Sequence, residues 1–161
     1  AMDVWASTFH SACVRILRRD IERLGFPSSF TIYDTDDSIR VMKDCIKELG
    51  VDDKQFPPRS VLSVISKAKD KLQLAADFQR DCDKSGDFRL QKMARLYAAY
   101  EKRLWEAGAL DFDDIILHTV RLLQQGEQDG VFAASFLQRG HMAAIVSFNG
   151  AEIHGKHLLF I

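Results

Sequence analysis

Polar side chains that could hold a phosphate stand at Thr8, His10 and Ser11, directly before an arginine-rich segment that ends at Leu24. A helix that begins near His10 would point its free backbone N–H groups and the positive end of its dipole at this polar run. The spacing of the apolar residues supports such a helix, because three- and four-residue steps place them on one face. They are Phe9, Cys13, Ile16, Leu17, Ile21 and Leu24.

The basic residues of this segment allow two interpretations. Arg15, Arg18, Arg19 and Arg23 lie beside the apolar stripe, together with Asp20 and Glu22. Arginines interspersed with acids on a helix are usually a solvated face with ion pairs three or four residues apart. His10 likewise suits a capping or packing role as well as a binding role. The sequence leaves both interpretations open.

Composition limits the classes of function. The 161 residues are 47% hydrophobic, enough for one domain with a core, and 22 basic residues face 23 acidic ones, so any nucleic-acid surface must be local. Cys13, Cys45 and Cys82 are widely spaced and odd in number, which predicts reduced thiols. No apolar run reaches transmembrane length. We therefore expect a soluble, cytoplasmic protein without a membrane partner.

The elements that would position the polar run are mostly helical. A short strand over Val4 to Thr8 precedes the basic helix, which Gly25 ends, and Phe30 to Tyr33 are extended. Asp34 or Thr35 caps a second helix that closes at Gly50, and Pro57-Pro58 opens a third. Lys67, Lys69 and Lys71 lie near the end of this third helix. There they suit either the helix dipole or a DNA backbone.

The middle of the chain contains an acidic run that resembles a calcium loop. Asp81, Asp83 and Gly86 match the first, third and sixth positions of such a loop, but its twelfth position is Lys92. We interpret Asp81 to Asp87 as a polar turn after a short helical piece at Leu74 to Phe78.

The second half of the chain predicts two long helices and a tail. One helix follows Asp87 and ends at Gly108, and the other follows its cap at Asp111 and runs to Gln125. Acidic residues at 111, 113 and 114 could suggest a metal, yet a first helical turn favours acids on dipole grounds, so no metal site is predicted. Residues 143–148 and 157–161 predict a C-terminal β-hairpin. The fold class is mainly α, a helical bundle with a short N-terminal strand and this hairpin.

Several blocks of the sequence carry a resemblance to a known family, and their order and spacing match it together. They are Trp5-Ala6-Ser7-Thr8-Phe9-His10-Ser11 with Cys13-Val14-Arg15-Ile16-Leu17-Arg18-Arg19, Phe30-Thr31-Ile32-Tyr33-Asp34, Phe56-Pro57-Pro58-Arg59, Ile65-Ser66-Lys67-Ala68-Lys69, and Ala109-Leu110-Asp111-Phe112-Asp113-Asp114. The chain resembles the UvrD/PcrA/Rep family of superfamily 1 DNA helicases. The resemblance implies three parts: residues 1–33 as the tail of the RecA-like motor domain 1A, 34–125 as the helical insertion subdomain 1B with its return helix, and 126–161 as an unassigned tail of foreign or frame-shifted origin.

The resemblance also implies a function. Such helicases move 3′ to 5′ along single-stranded DNA, separate the duplex in repair, and use ATP and magnesium. It identifies Thr8, Phe9, His10 and Ser11 as single-strand contacts, with Arg15, Lys67 and Lys69 as further DNA-backbone contacts. The implied partners are single-stranded DNA and its duplex junction, bound without sequence preference, and the other helicase domains.

The sequence departs from the family at both nucleotide motifs. It has no glycine loop with the phosphate-binding lysine, and residues 126–161 contain no Asp-Glu-x-x-Asp stretch. We therefore expect no cofactor and no ATP hydrolysis in this chain. A helical module for protein–protein interaction that does not bind DNA is the alternative function, favoured if Arg15, Arg18 and Arg19 are all paired with acids.

Overall fold

The computed structural model describes the backbone of residues 9–129 and the side chains of residues 10–126. The predicted strand at Val4 to Thr8 and the predicted C-terminal hairpin lie outside these residues. The described chain is mainly α, as predicted. Its elements are α1 Phe9–Asp20, a 3-10 helix Ile21–Leu24, β1 Thr31–Ile32, α2 Thr35–Glu48, α3 Pro58–Asp70, α4 Ala75–Ser85, α5 Phe88–Glu106, β2 Ala109–Leu110 and α6 Phe112–Asp129.

The chain divides into two compact units. One unit is the continuous segment Ser29–Asp114, and the other contains the residues before Ser29 and those from Ile115 onward. The first unit is thus an insertion into the second along the sequence. Its assignment to a helicase subdomain, with boundaries at 33 and 125, stays a prediction.

The inserted unit, Ser29–Asp114, is closed where the chain enters and leaves it. β1 and β2 pair in parallel, with Thr31 opposite Ala109 and Ile32 opposite Leu110. The amide of Tyr33 donates to the carbonyl of Leu110 over 2.8 Å. Phe30 to Tyr33 was predicted to be extended, and this is confirmed, whereas β2 was not predicted. This pairing fixes the start of α6 beside the start of α2.

The core of the inserted unit lies between α2, α3 and α5, with α4 packed on α5. Its largest fully buried side chains include Tyr97, Tyr100, Met42, Ile65 and Leu96. Tyr97 and Tyr100 lie three residues apart on α5, which places both rings on its buried face. At about 25 cal/mol per Å² of apolar surface, such burial is the main stabilising contribution to this unit.

The predicted cap at Asp34 and the predicted proline entry to α3 are confirmed, and Asp87 caps the long helix that was predicted to follow it. Asp34 accepts the amide of Asp37 over 2.9 Å and forms a capping box with it. Asp87 accepts the amides of Arg89 and Leu90 at the start of α5, and Pro58 is the first residue of α3. Each cap satisfies backbone donors that the helix itself leaves unpaired.

The acidic run from Asp81 to Asp87 was predicted to be a turn, and this prediction was wrong. α4 continues through Ser85 and ends at Gly86, whose φ is 67°. Side-chain pairs three and four residues apart support the longer helix: Arg80 pairs with Asp77, Lys84 with Asp81, and Gln79 donates to Asp83. Such pairs stabilise a helix in spite of its many polar residues.

The second unit contains α1 and most of α6. In α1 and the 3-10 helix, Cys13, Leu17 and Ile21 are buried. The ring of Phe26 lies 4.8 Å from that of His118 on α6.

Cys13, Cys45 and Cys82 are all free and buried. None of the described helices is long and apolar enough to cross a bilayer.

Candidate nucleic-acid interface

The first candidate surface is the start of α1. This helix begins at Phe9 and has no acidic residue in its first turn, so the predicted helix start near His10 is confirmed. Ser11 is exposed, His10 is half-buried, and Arg15 is exposed one turn further along. Thr8 and the side chain of Phe9 lie outside the described residues. The arrangement offers helix amides, a hydroxyl and a guanidinium to an anion.

Two other arginines of α1 form contacts within the unit itself. Arg18 donates to the carbonyl oxygen of Ser28 over 2.8 Å, and Arg19 pairs with Asp20 over 2.6 Å. The hydroxyl of Ser28 donates to Glu22 over 2.7 Å. These contacts hold the turn at Gly25, whose φ of 85° requires the left-handed region that glycine adopts without strain. Arg18 therefore supports this turn, whereas Arg19 pairs with its sequence neighbour in an exposed ion pair.

The three lysines near the end of α3 occupy different environments. Lys67 and Lys71 are exposed, whereas Lys69 is only 3% exposed. The Lys69 ammonium lies 2.7 Å from Asp111 Oδ2 and 2.7 Å from Asp114 Oδ1. A buried ammonium between two carboxylates cannot reach a phosphate in solvent. This corrects the prediction that Lys69 contacts DNA, and Lys67 is the lysine retained from that prediction.

The two carboxylates are held by the start of α6. Asp114 donates its amide to Asp111 Oδ1 over 2.8 Å, and the amide of Asp111 donates to Asp114 Oδ2 over 3.2 Å. Asp111 is thus the cap of α6, as predicted. Tyr100 donates its hydroxyl to Asp111 Oδ2 over 2.9 Å. We call Lys69, Tyr100, Asp111 and Asp114 the buried ion cluster; it joins α3 and α5 to the start of α6.

Burial and charge act in opposite directions within the cluster. Burial alone would lower the pKa of Lys69, but Asp114 and Asp111 raise it well above its ordinary value. Burial would raise the pKa of Asp111, yet Lys69, the Asp114 amide and Tyr100 together lower it. For Asp114, burial and the charge of Asp111 raise the pKa to about 7 against the attraction of Lys69. Asp111 is therefore the carboxylate that stays ionised and Asp114 the one that takes up a proton.

The acidic residues at 111, 113 and 114 had also raised the question of a metal. In the structure the cation between Asp111 and Asp114 is the Lys69 ammonium. Among the described residues no group of three or more His, Cys, Asp or Glu side chains is arranged to hold a metal ion. The residues present at this cluster consequently do not fit a magnesium ion.

The position of Lys69 on the apolar face of α3 indicates burial, and the sequence prediction did not use it. Val61 and Ile65 are buried on α3, and Lys69 follows Ile65 by four residues, on the same helix face. A lysine on an apolar stripe requires a buried acidic partner. The acids at the start of α6 were the available partners in the sequence, but only the folded chain brings them to α3.

The chain is similar in sequence to known DNA helicases. A sequence model of the UvrD/REP helicase N-terminal domain matches residues 1–142. The chain belongs to this family. It is 45% identical over 125 residues to the ATP-dependent DNA helicase PcrA of Bacillus subtilis. These 125 residues are 78% of this chain and 16% of that relative. The PcrA proteins of Staphylococcus aureus (strain Mu50 / ATCC 700699) and Staphylococcus epidermidis are 43% and 42% identical over 122 and 125 residues.

The matched segments cover most of this chain but only a small part of each relative. The matched segments cover 76% to 78% of this chain and 16% to 17% of the relatives. The chain therefore spans about a sixth of the length of the curated relatives it matches. Its resemblance to UvrD/PcrA-like helicases, seen first in the sequence blocks, is confirmed.

Proposed function

We infer that this chain is part of an ATP-dependent 3′-to-5′ DNA helicase and that it contributes sequence-independent contacts to the DNA backbone. The start of α1 supports this most directly. Thr8, Phe9, His10 and Ser11 precede or open a helix whose first turn carries no acid, and Arg15 follows one turn later. We assign the single-strand contact to these residues.

The chemistry of this start favours a phosphate over a base. Helix amides and a positive dipole end attract any anion, and they do so irrespective of the neighbouring base. The exposed Ser11 can donate its hydroxyl to the same phosphate, and the exposed Arg15 adds a charge that strengthens the contact. A motor that moves along DNA needs contacts of this kind, since base-specific contacts would stall it.

Lys67 supplies the second proposed backbone contact, in the inserted unit. It is exposed, and it forms no ion pair with any of the described residues. An ammonium that forms no ion pair has no carboxylate competing with a phosphate for it. We propose that the single strand and its duplex junction are the partners of these two surfaces.

ATP belongs to the proposed full-length helicase. The relatives carry the name ATP-dependent DNA helicase, and this chain spans about a sixth of their length. The described residues offer no carboxylate cluster that fits magnesium. We propose that the chain alone hydrolyses no ATP and that the other helicase domains are its partners in the whole protein.

A helical protein-interaction module is the second candidate function. The observation in its favour is that Arg19 pairs with Asp20 and Arg18 bonds a backbone carbonyl. Two of the arginines that could have contacted DNA thus have partners within the chain. This candidate predicts that the chain has no affinity for DNA.

Fluorescence anisotropy with a labelled junction of single-stranded and duplex DNA separates the two candidates. We expect the full chain to bind, with affinity that falls steeply as salt rises, because bound cations release counterions. Arg15→Ala should reduce the slope of log affinity against log salt by about 0.7, the value for one single-strand contact. Arg40→Ala is the matched control, since Arg40 is exposed and pairs with Asp37. Binding that is absent at low salt, or that ignores salt, would contradict the proposal.

A further inference from the structure

One face of α5 combines an aromatic ring with two cations. Phe88 is 81% exposed, the highest value among the large apolar side chains described. Lys92 and Arg95 are also exposed and follow it by four and seven residues, which places all three on the same helix face. Exposure of a phenylalanine is unfavourable in a stable monomer. The face therefore has the composition of a binding surface.

The two cations lack the acidic partners that neighbouring cations have. Arg80, Lys84, Lys102 and Arg103 all form ion pairs with carboxylates. Lys92 and Arg95 form no ion pair with any of the described residues. Their charge is thus directed at solvent on a face that carries no compensating acid of its own helix.

Lys92 and Arg95 also line a recess of about 270 Å³. The connection between α2 and α3 forms its other wall, with Leu49, Val51 and Phe56 among the lining residues. The recess has one carboxylate, Asp52, which accepts the amide of Lys54 over 3.0 Å. The two cations are consequently held beside a concave surface that combines apolar side chains with polar ones such as Gln55.

The neighbouring residues Asp87 and Arg89 are engaged in contacts within the unit and are not part of the face. Asp87 occupies the first amides of α5, so the helix start itself is not the site. Arg89 lies over the ring of Phe56 at 4.9 Å and donates to the carbonyl oxygen of Gln55 over 3.0 Å. These contacts anchor the start of α5 to the α2–α3 connection and leave Phe88 projecting from it.

We propose that Phe88, Lys92 and Arg95 form a second site for single-stranded nucleic acid, in which one base stacks on Phe88 and the flanking phosphates contact the two cations. A rise of about 1.5 Å per residue separates Phe88 from Lys92 by about 6 Å along the helix, a distance comparable with that between successive nucleotides. An aromatic beside cations is the usual composition of sequence-tolerant single-strand sites.

The exposed ring favours a single strand over a duplex. Within a duplex both faces of each base are covered by neighbouring bases, so only an unstacked base can use Phe88. The site lies in the inserted unit, whereas the α1 start lies in the other unit, and the inference does not depend on the α1 contact. An acidic peptide with an apolar anchor in the recess is the competing occupant.

Two oligonucleotides of about 20 nucleotides, homothymidine and an abasic strand of equal charge, test the stacking directly. With the full chain we expect Phe88→Ala to weaken binding of the homothymidine strand roughly tenfold and to leave the abasic strand unchanged. Trp105→Ala, at a half-exposed aromatic further along α5, is the control and should change neither. Equal weakening of both strands by Phe88→Ala, or no weakening of either, would overturn the proposal.

The cations are tested by salt dependence. Lys92→Ala with Arg95→Ala should lower the slope of log affinity against log salt by about 1.4, the value for two single-strand contacts. Lys43→Ala with Lys47→Ala removes the same charge from α2 and should not lower it. An unchanged slope in the first pair would overturn this site while leaving the α1 proposal intact, provided that Arg15→Ala still lowers the slope.

Leu49→Ala distinguishes the competing occupant. Leu49 lines the recess and is 42% exposed, so a peptide anchored there would lose affinity, whereas a strand stacked on Phe88 would not. Binding of an acidic, leucine-containing peptide that displaces the homothymidine strand and that Leu49→Ala abolishes would overturn the nucleic-acid assignment. The variants at Phe88, Lys92 and Arg95 should unfold at the wild-type temperature, because these side chains are exposed.

Discussion

Lys67 and Lys69 lie two residues apart on α3 and occupy opposite environments. Lys67 is exposed to solvent, while Lys69 is buried and lies 2.7 Å from each of two carboxylates. A turn of helix has 3.6 residues, so a step of two residues carries a side chain to the opposite face. The charge of Lys69 is therefore used inside the fold, whereas the charge of Lys67 faces solvent.

The buried ion cluster and the exposed cations also differ in their desolvation free energy. Two carboxylates and one ammonium removed from water carry a desolvation penalty, which their mutual attraction and hydrogen bonds must offset. Exposed cations such as Lys67 carry almost no penalty and contribute little to stability. The cluster should therefore respond strongly to substitution in stability measurements, and the exposed face should respond only in binding.

Lys69→Met should have the largest effect. Removing the ammonium leaves Asp111 and Asp114 buried without a cation, which costs about 3–5 kcal/mol of unfolding free energy. Urea unfolding followed by circular dichroism measures this loss. Lys67→Met is the matched control and should change the free energy by less than about 0.5 kcal/mol. Similar values for the two variants would remove the distinction between the two faces of α3.

Asp114→Asn should change how stability depends on pH. Because the pKa of Asp114 is raised to about 7 from an ordinary 3.8, its contribution to folding is complete below the unfolded value and is lost as pH rises towards 7. The wild type should therefore gain stability relative to Asp114→Asn, on the order of 1 to 3 kcal/mol, as pH falls from about 8 to about 5.

Thermal unfolding at several pH values measures this difference. Asp44→Asn replaces an exposed carboxylate on α2 and should give a curve parallel to the wild type. If the Asp114→Asn curve is also parallel, then Asp114 is not the proton-accepting carboxylate of the cluster.

Tyr100→Phe should have the smallest effect of the three. It removes the hydrogen bond to Asp111 Oδ2 and should cost about 1 kcal/mol. Tyr97→Phe is the control, because Tyr97 also donates a hydrogen bond, over 2.8 Å, but to the carbonyl oxygen of Gln73. Tyr100 helps to lower the pKa of Asp111, so on acidification Tyr100→Phe should lose stability at a higher pH than Tyr97→Phe does. Coincident acid unfolding would contradict a role for Tyr100 in the cluster.

Local signals predicted much of the fold. The predictions of a start for α1, a cap at Asp34, a proline at the start of α3, a helix after Asp87 and a cap at Asp111 all depend on residues a few positions apart. All are confirmed. Capping requires only a side-chain acceptor next to a free amide, so a single sequence can show it.

Two features of the fold were missed, one because its partner is distant in the sequence and one because local side-chain pairs were not recognised. β2 is two residues long and has no alternating pattern; it forms because β1 supplies hydrogen bonds from a segment far away in the sequence. The length of α4 was underestimated, since its acidic residues suggested a turn although they pair with cations of the same helix. In both cases the deciding contacts outweighed the local propensity.

The family was recognisable from the sequence blocks and their order, and the helical class and most helix starts from residue types at fixed spacing. Tertiary structure alone decided which lysine of α3 is buried and which carboxylates surround it, because Asp111 and Asp114 follow Lys69 by more than forty residues. It also decided that Phe88 remains exposed beside two cations while Tyr97 and Tyr100 of the same helix are buried. Periodicity shows that a helix has a buried face, but only packing shows which side chains that face must neutralise.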